Sequence, residues 1–161
     1  MKQTSSKHII IKNSRIHQKG VFARTSISKG NKVLQYLGER VSKKEGTKRA
    51  EIQHRKSLKR NKGSVFVFEL NHKYDIDGSF SYNKAKCINH SCGPNCRYKL
   101  INGKIWIISI RDINKGEELT YNYNFDLEDW KNCVCKCNSK NCLGYMVGPR
   151  YRAALAKILR K

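Results

Sequence analysis

The chain has 161 residues, with 34 Lys and Arg against 12 Asp and Glu and a formal charge of +22. Hydrophobic residues make up 39% and there are two prolines, which excludes a collagen-like chain and wholesale disorder and leaves room for one domain with a modest core. No apolar run approaches the ~18 residues of a membrane span, and so positive a charge points to an acidic partner, nucleic acid first.

In chain order, residues 8–12 and 32–37 are short runs rich in Ile, Val and Leu that predict strands. Residues 42–60 hold few apolar positions (Ala50, Ile52 and Leu58) and predict a mostly exposed helix. Residues 64–70 are apolar on both faces over their middle, which predicts a strand buried on both sides, and 104–111 predict a further strand. Gly20, Gly30, Gly38, Gly63, Gly78, Gly103 and Gly116 stand between the runs at turn-like positions. Residues 150–161 place Tyr151, Ala154, Leu155, Ile158 and Leu159 on one helical face among basic residues. The expectation is one compact α+β domain, mostly β, with short helices.

The charge is uneven. Residues 1–38 and 130–161 each hold eight Lys or Arg and no acid, and residues 43–62 hold nine Lys or Arg with Glu45 and Glu51. Nine of the 12 acids fall between Glu69 and Asp129, so the middle is near balance. There, Glu69, Asp75, Asp77, Asp126, Glu128 and Asp129 are expected to tolerate a basic peptide, while the basic blocks grip an acidic scaffold.

The seven cysteines are Cys87, Cys92, Cys96, Cys133, Cys135, Cys137 and Cys142. An odd count and the absence of a signal-peptide core lead to the expectation of a reducing, intracellular setting. Cys135, Cys137 and Cys142 form a C-x-C-x4-C run that can share one structural Zn²⁺, with the fourth ligand open among Cys92, Cys96, Cys133 and Cys87.

The most informative stretch runs Cys87-Ile-Asn89-His90-Ser91-Cys92-Gly-Pro94-Asn95-Cys96. A Cys beside a His could mark a thiol nucleophile and its base. The residue types, however, resemble the N-H-S-C-x-P-N signature of the SET-domain protein lysine methyltransferases. Residues 16–23 look like the family's amino-terminal G-x-G segment, although Gln18 stands where its first Gly is expected. Tyr36-Leu37-Gly38 looks like its Y-x-G motif, and Gly116-Glu-Glu-Leu119-Thr120-Tyr121-Asn122-Tyr123 like its G-E-E-L-T-Y-D-Y. The C-x-C-x4-C run, followed by Leu143-Gly144, looks like its post-SET zinc tail. Together these cover about residues 8–148.

The resemblance implies a SET-domain fold of small β-sheets, with residues 89–95 threaded as a pseudoknot through the loop carrying Leu119 to Tyr123. It implies a SET domain over 8–125 with a substrate-side insert at about 42–62, a post-SET tail over 133–149 and a basic C-terminal helix over 150–161. The implied cofactors are S-adenosylmethionine and a structural Zn²⁺ on Cys92, Cys135, Cys137 and Cys142. Tyr123 takes the place of the catalytic tyrosine, Tyr36 lines the same channel, and Tyr121 sits where methylation multiplicity is set, favouring mono- or dimethylation. Phe66 falls beside cofactor and channel. The main chain at Lys19, Gly20, Val21 and Phe22, the Asn89 side chain and the His90 main chain are expected to hold the cofactor, with Leu143 over the adenine. His90 is not expected to act as an acid or base.

Departures from the pattern at Gln18, Lys86 and Cys87 bear on cofactor affinity, since Lys86 for Arg loses a forked donor and Cys87 for Phe loses packing. The implied activity is methyl transfer to a lysine-bearing protein, a histone or other chromatin-like substrate, in the nucleus and with nucleosomal DNA as a further contact. The alternative is a weakly active or inactive SET module that binds chromatin or DNA through its basic surface.

Overall fold

The computed structural model describes residues 7–60, 65–128 and 130–160. The strands are β1 (Ile9–Asn13), β2 (Lys19–Ala23), β3 (Lys32–Gln35), β4 (Glu39–Ser42), β5 (Val67–Glu69), β6 (Tyr74–Asp77), β7 (Asn89–His90), β8 (Cys96–Ile101), β9 (Lys104–Ser109) and β10 (Glu118–Tyr121). Helix α1 (Lys43–Arg60) follows β4, and α2 (Arg152–Ile158) lies near the C-terminus. The strands form three small sheets, in the orders β1-β2-β10-β7, β3-β9-β8 and β4-β6-β5. Beside them stand the 18-residue α1 and the seven-residue α2, an α+β arrangement that is mostly β.

Local chemistry accounts for the turns. β8 and β9 are joined by Asn102-Gly103, both at positive φ (49° and 69°), the two-residue turn whose twist matches that of paired strands. The β1–β2 turn places Gln18 at φ 41°, a left-handed position that disfavours any side chain. Between the sheets lies a core of Val21, Leu34, Ile88, Ile105, Ile107, Ile113 and Leu119, each no more than 2% exposed.

Helix α1 docks through a polar stripe. Ser42 Oγ accepts the Glu45 N–H at 3.3 Å, satisfying one donor of the first turn. Lys43 Nζ then reaches Asp75 at 2.6 Å, and Arg49 Nη1 reaches Glu39 at 2.6 Å and Asp77 at 3.1 Å. Gln53 accepts the Phe66 N–H at 2.7 Å and donates to Asp77 at 3.2 Å. Gly46 lies between these groups, where a Cβ would collide with the Asp75 side chain. Positions 43, 46, 49 and 53 thus share the face turned to β6.

Three expectations need correction. The run 64–70 is not a strand buried on both sides: β5 is three residues long, lies at a sheet edge, and leaves Val67 and Phe68 half-buried; residue 64 lies outside the described residues. Residues 150–161 do not bury an apolar stripe: Pro149 opens a 3₁₀ turn, α2 has seven residues, and only Leu155 is fully buried while Ile158 and Leu159 are exposed. Asp75 and Asp77 do not offer charge to a peptide, because both are buried and paired with Lys43 and Arg49. Asp129, named with them, lies outside the described residues.

Candidate active site

Five aromatic side chains from all three sheets meet in one place. Tyr36, directly after β3, is 1% exposed, and its ring lies 4.5 Å from that of Phe68 on β5. Tyr121 ends β10, with its ring 4.9 Å from Tyr123 and 6.1 Å from Phe68. Tyr98 on β8 stands edge-on to both Phe68 and Tyr121, at 5.2 and 6.2 Å. Tilted and edge-on contacts of this kind suit the ring quadrupoles. Tyr36 is seated against the backbone of Gly78, where a Cβ would overlap its ring.

The phenol groups are committed to backbone. Tyr36 donates its hydroxyl proton to the Phe66 carbonyl at 2.9 Å, and Tyr123 donates to the Ile88 carbonyl at 2.9 Å. Burial, reinforced by neighbouring groups, pushes Tyr36, Tyr121 and Tyr123 well above the usual phenol range. These tyrosines are therefore neutral at physiological pH, and those at 36 and 123 have oxygen lone pairs still free to accept.

Tyr36, Tyr121 and Tyr123 line a cleft of about 690 Å³, counted to its open mouth, together with Phe66 and Val65. Its wall continues through His17, Gln18, Lys19, Asn89, Lys86 and Cys87. Asn89 Nδ2 fastens the β1–β2 turn, lying 3.2 Å from the His17 carbonyl, 3.1 Å from that of Lys19 and 2.7 Å from Glu118 Oε1. Lys86 Nζ donates to the Ser79 carbonyl at 2.7 Å and stands over the Phe66 ring.

Of the residues anticipated for catalysis or cofactor, Tyr36, Tyr121, Tyr123, Lys19, Phe66 and Asn89 surround this one cleft. Gly20, Val21, Phe22, His90 and Leu143 are not in its lining. Val21 is fully buried in the core, so only its main chain is open to a ligand. Phe22 lies beneath the Lys12 ammonium. His90 is buried behind Tyr123, where its Nδ1 accepts the Tyr123 N–H at 3.1 Å. Burial, with the Arg152 charge nearby, holds the imidazole down at about 4, so it is neutral and carries its proton on Nε2.

Phe68 and Tyr98 are aromatic neighbours that sequence reasoning missed. The Phe66-Val67-Phe68 alternation could have flagged Phe68. Nothing local marks Tyr98, 40% exposed on β8. Glu118 was also missed; it accepts from Ser14 Oγ at 2.8 Å and from Asn89, bracing the floor beneath the β1–β2 turn.

Residues 89–95 are stitched to β10. β7 pairs with it in parallel, Asn89 opposite Thr120 and His90 opposite Tyr121. The Asn95 side chain accepts the Thr120 N–H and donates to the Glu118 carbonyl, both at 2.8 Å. These bonds hold the two segments that carry Asn89, Tyr121 and Tyr123 in fixed register.

Beyond the cleft, Cys92, Cys135, Cys137 and Cys142 bring their sulfurs within 4.8 Å of one another. Cys92 Sγ lies 3.9 Å from that of Cys135 and 3.8 Å from that of Cys142. A tetrahedron with Zn–S bonds of about 2.3 Å has edges of roughly 3.8 Å, so the four thiols fit such an ion and the cluster could hold one. Backbone donors also point at the sulfurs: Cys92 N–H to Cys137 at 3.4 Å and Gly144 N–H to Cys142 at 3.3 Å. Burial alone would raise the Cys137 thiol, but the Cys92 N–H and the Ser139 groups outweigh it and bring it to about 6. Cys87, Cys96 and Cys133 stand outside the cluster.

Comparison with known proteins agrees with this geometry. The SET-domain family model matches residues 18–124. "Histone-lysine N-methyltransferase set1" of Dictyostelium discoideum is 39% identical over 140 residues, covering 84% of this chain and 9% of that protein. "Histone-lysine N-methyltransferase 2D" of Homo sapiens is 35% identical over 144 residues, covering 86% of this chain and 2% of that protein. "Histone-lysine N-methyltransferase, H3 lysine-4 specific" of Saccharomyces cerevisiae is 34% identical over 146 residues, covering 87% of this chain and 13% of that protein. The chain thus spans a small fraction of the curated relatives that it matches. With the aromatic cleft, the stitched Asn89–Tyr123 core and the matched segment in agreement, this chain belongs to the SET-domain family.

Proposed function

We propose that the chain is a protein-lysine N-methyltransferase that uses S-adenosylmethionine, with a histone as substrate and nucleosomal DNA as an additional contact. The observation that carries this reading is the meeting of Tyr36, Tyr121 and Tyr123 around the cleft that Lys19 and Asn89 also line. When bound, the cofactor supplies a methyl group already activated on a sulfonium. Lys19, Phe66 and Asn89, which line the cleft, are the residues to hold it.

The protein's task is to deliver an uncharged amine in line with that methyl. A free lysine, with a pKa near ~10.4, is largely protonated at neutral pH. The aromatic wall disfavours its ammonium by desolvation. Tyr36 and Tyr123 direct their hydroxyl hydrogens to backbone carbonyls, so their oxygen lone pairs are acceptors for the amine N–H or the polarised methyl hydrogens. No carboxylate or imidazole base is required, which suits a His90 whose Nδ1 is already occupied. The Tyr121 ring, hemmed by Phe68, Tyr98 and Tyr123, limits the space around the amine and favours mono- or dimethylation.

The organisation proposed is a transferase body over residues 8–125, a substrate-side insert at about 42–62, a zinc tail over 133–149 and a basic C-terminal segment over 150–161. Zinc on Cys92, Cys135, Cys137 and Cys142 would order the tail, and Leu143 would bring it over the adenine. The exposed Lys44, Lys48, Arg55 and Lys56 of α1 are the cations available to DNA, whereas Lys43 and Arg49 are turned inward to carboxylates. This surface and the relatives' names together favour a chromatin setting. Among the described residues no helix is long and apolar enough to cross a membrane.

The test is transfer of a radiolabelled methyl from S-adenosylmethionine to free histones, nucleosomes and the chain itself over a salt series. Label on a histone lysine, with nucleosome binding that falls steeply with salt, is the expected result. Cofactor binding and label both undetectable would overturn the enzyme reading. Tight, salt-sensitive nucleosome binding without label would favour the alternative of an inactive chromatin-binding SET module; Gln18, at positive φ in the cleft wall, is the observation on its side.

A further inference from the structure

Beside the thiol cluster, one nitrogen of a half-buried arginine is shut from water without an acceptor. Arg152 opens α2, and its Nη1 is inaccessible to solvent with no hydrogen-bond partner among the described residues. An orphaned buried donor is uncommon and calls for an explanation, all the more on a charged group. An arginine that merely packed its stem would carry its whole head to water; Arg152 is half-buried, and the Nη1 end of its head is shut away.

The surroundings point to the missing acceptor. The Arg152 guanidinium lies against the Cys92 thiol and close to His90. His90 Nε2 is itself 3.5 Å from Cys92 Sγ. Three residues beyond Arg152 on the same helix face, Leu155 is completely buried, as is Val147 just before the helix. The Gly148 N–H is tied to the Phe125 carbonyl at 2.7 Å. Packing on both sides of Arg152 in sequence therefore fixes the start of α2. No carboxylate is available from its own segment, because residues 130–161 contain eight Lys or Arg and no acid.

We propose that Arg152 is the outer-sphere partner of the metal centre: a positioning residue whose guanidinium donates to the Cys92 thiolate of a zinc-loaded four-cysteine site. This rests on the reading of the four thiols as a zinc site. Four thiolates around one Zn²⁺ carry a net charge of −2, and Arg152 supplies a compensating positive charge together with a directed N–H. Uncharged thiols would offer that guanidinium only a weak acceptor. The consequence is that metal binding docks α2. Because Cys92, His90 and the Tyr123 N–H form a continuous chain of contacts, the same donor steadies the backbone of the aromatic cleft.

The experiment uses the full chain loaded with zinc, as the unmodified protein and as Arg152→Met and Arg152→Lys. Metal release to a chromophoric chelator gives the rate, the thiolate-to-metal absorption of the Co²⁺-substituted forms reports the cluster, and hydrogen exchange reports α2. The expected result is one zinc per unmodified chain, release about tenfold or more faster for Arg152→Met, a shifted Co²⁺ absorption, and partial recovery in Arg152→Lys. In the unmodified chain, adding zinc to the stripped protein should raise protection across α2, a reading that stands even if Arg152→Met fails to fold. Equal release rates and unchanged absorption in a zinc-loaded Arg152→Met would overturn the role of Arg152 while leaving the zinc site in place. An α2 indifferent to metal would also overturn it. An unmodified chain that binds no zinc would remove both the site and the proposal.

Discussion

The aromatic cleft and the cysteine tail achieve order by opposite means. The cleft is walled by rings that touch one another, by phenols bonded to buried carbonyls, and by segments locked to β10. The tail over residues 133–146 has a half-buried Cys133 and an exposed Val134, and it is tied down by a few backbone bonds such as Cys135 N–H to the Gly144 carbonyl and Met146 N–H to the Cys133 carbonyl. One region is built from packing and needs nothing added. The other has three thiols of the four-cysteine cluster where a core would be, so its stability is expected to follow metal binding.

The sharpest way to break that contrast is chemical. Tyr123→Phe removes the hydroxyl that donates to the Ile88 carbonyl and leaves the ring contacts in place. Methyl transfer should fall by at least about a hundredfold, the scale of losing one placed polar group, with cofactor affinity nearly unchanged by calorimetry. Retained activity would remove Tyr123 from the chemistry. Next comes Cys142→Ser or a strong chelator: protease should then cut within residues 130–145 while the body over 8–125 resists. Cleavage spread evenly over both regions, or no change, would contradict the contrast. Gly78→Ala should strike the cleft alone, displacing the Tyr36 ring at a cost of about 1–3 kcal/mol, visible in thermal unfolding, with zinc content unaffected.

The smallest expected effect is electrostatic. Burial raises the Asp77 carboxyl, but bonds from Ser79, Arg49 and Gln53 outweigh it and hold it below the usual carboxylate value. Its contribution is therefore complete above the unfolded-state pKa near ~3.9 and is lost as pH falls through the lower folded-state value. Asp77→Asn should flatten the acid limb of stability measured by denaturant titration. An unchanged limb would assign acid sensitivity elsewhere.

What could be read in advance follows the range of the interaction. The strand at β9 and the Asn102-Gly103 turn follow from alternation and local stereochemistry, and the four clustered sulfurs from the C-x-C-x4-C spacing plus a distant Cys92 supplied by the family resemblance. The three tyrosines also came from motif resemblance, since each taken alone is an ordinary core aromatic. The apolar content of α1 foretold exposure but not the polar stripe of Lys43, Arg49 and Gln53, because its β6 partners Asp75 and Asp77 lie 32 residues from Lys43 and 28 from Arg49 in sequence. Tyr98 was invisible for the same reason: only the pairing of β8 with β9 brings that strand up to Phe68 and Tyr121. Gln18 was recognised as a departure from Gly, yet its positive φ depends on the turn closed by Ser14 N–H and the Gln18 carbonyl.

Tyr36, Phe68, Tyr98 and Tyr121 come from three sheets with no backbone ladder between one sheet and the next among the described residues. Two of them, Tyr36 and Tyr121, line the cleft, and its width there is therefore gauged by side-chain packing alone. An added or deleted methylene at any of these positions can widen or narrow it while every strand pairing survives. If the proposed methyl transfer holds, product multiplicity is then free to drift over evolution independently of the scaffold that carries it.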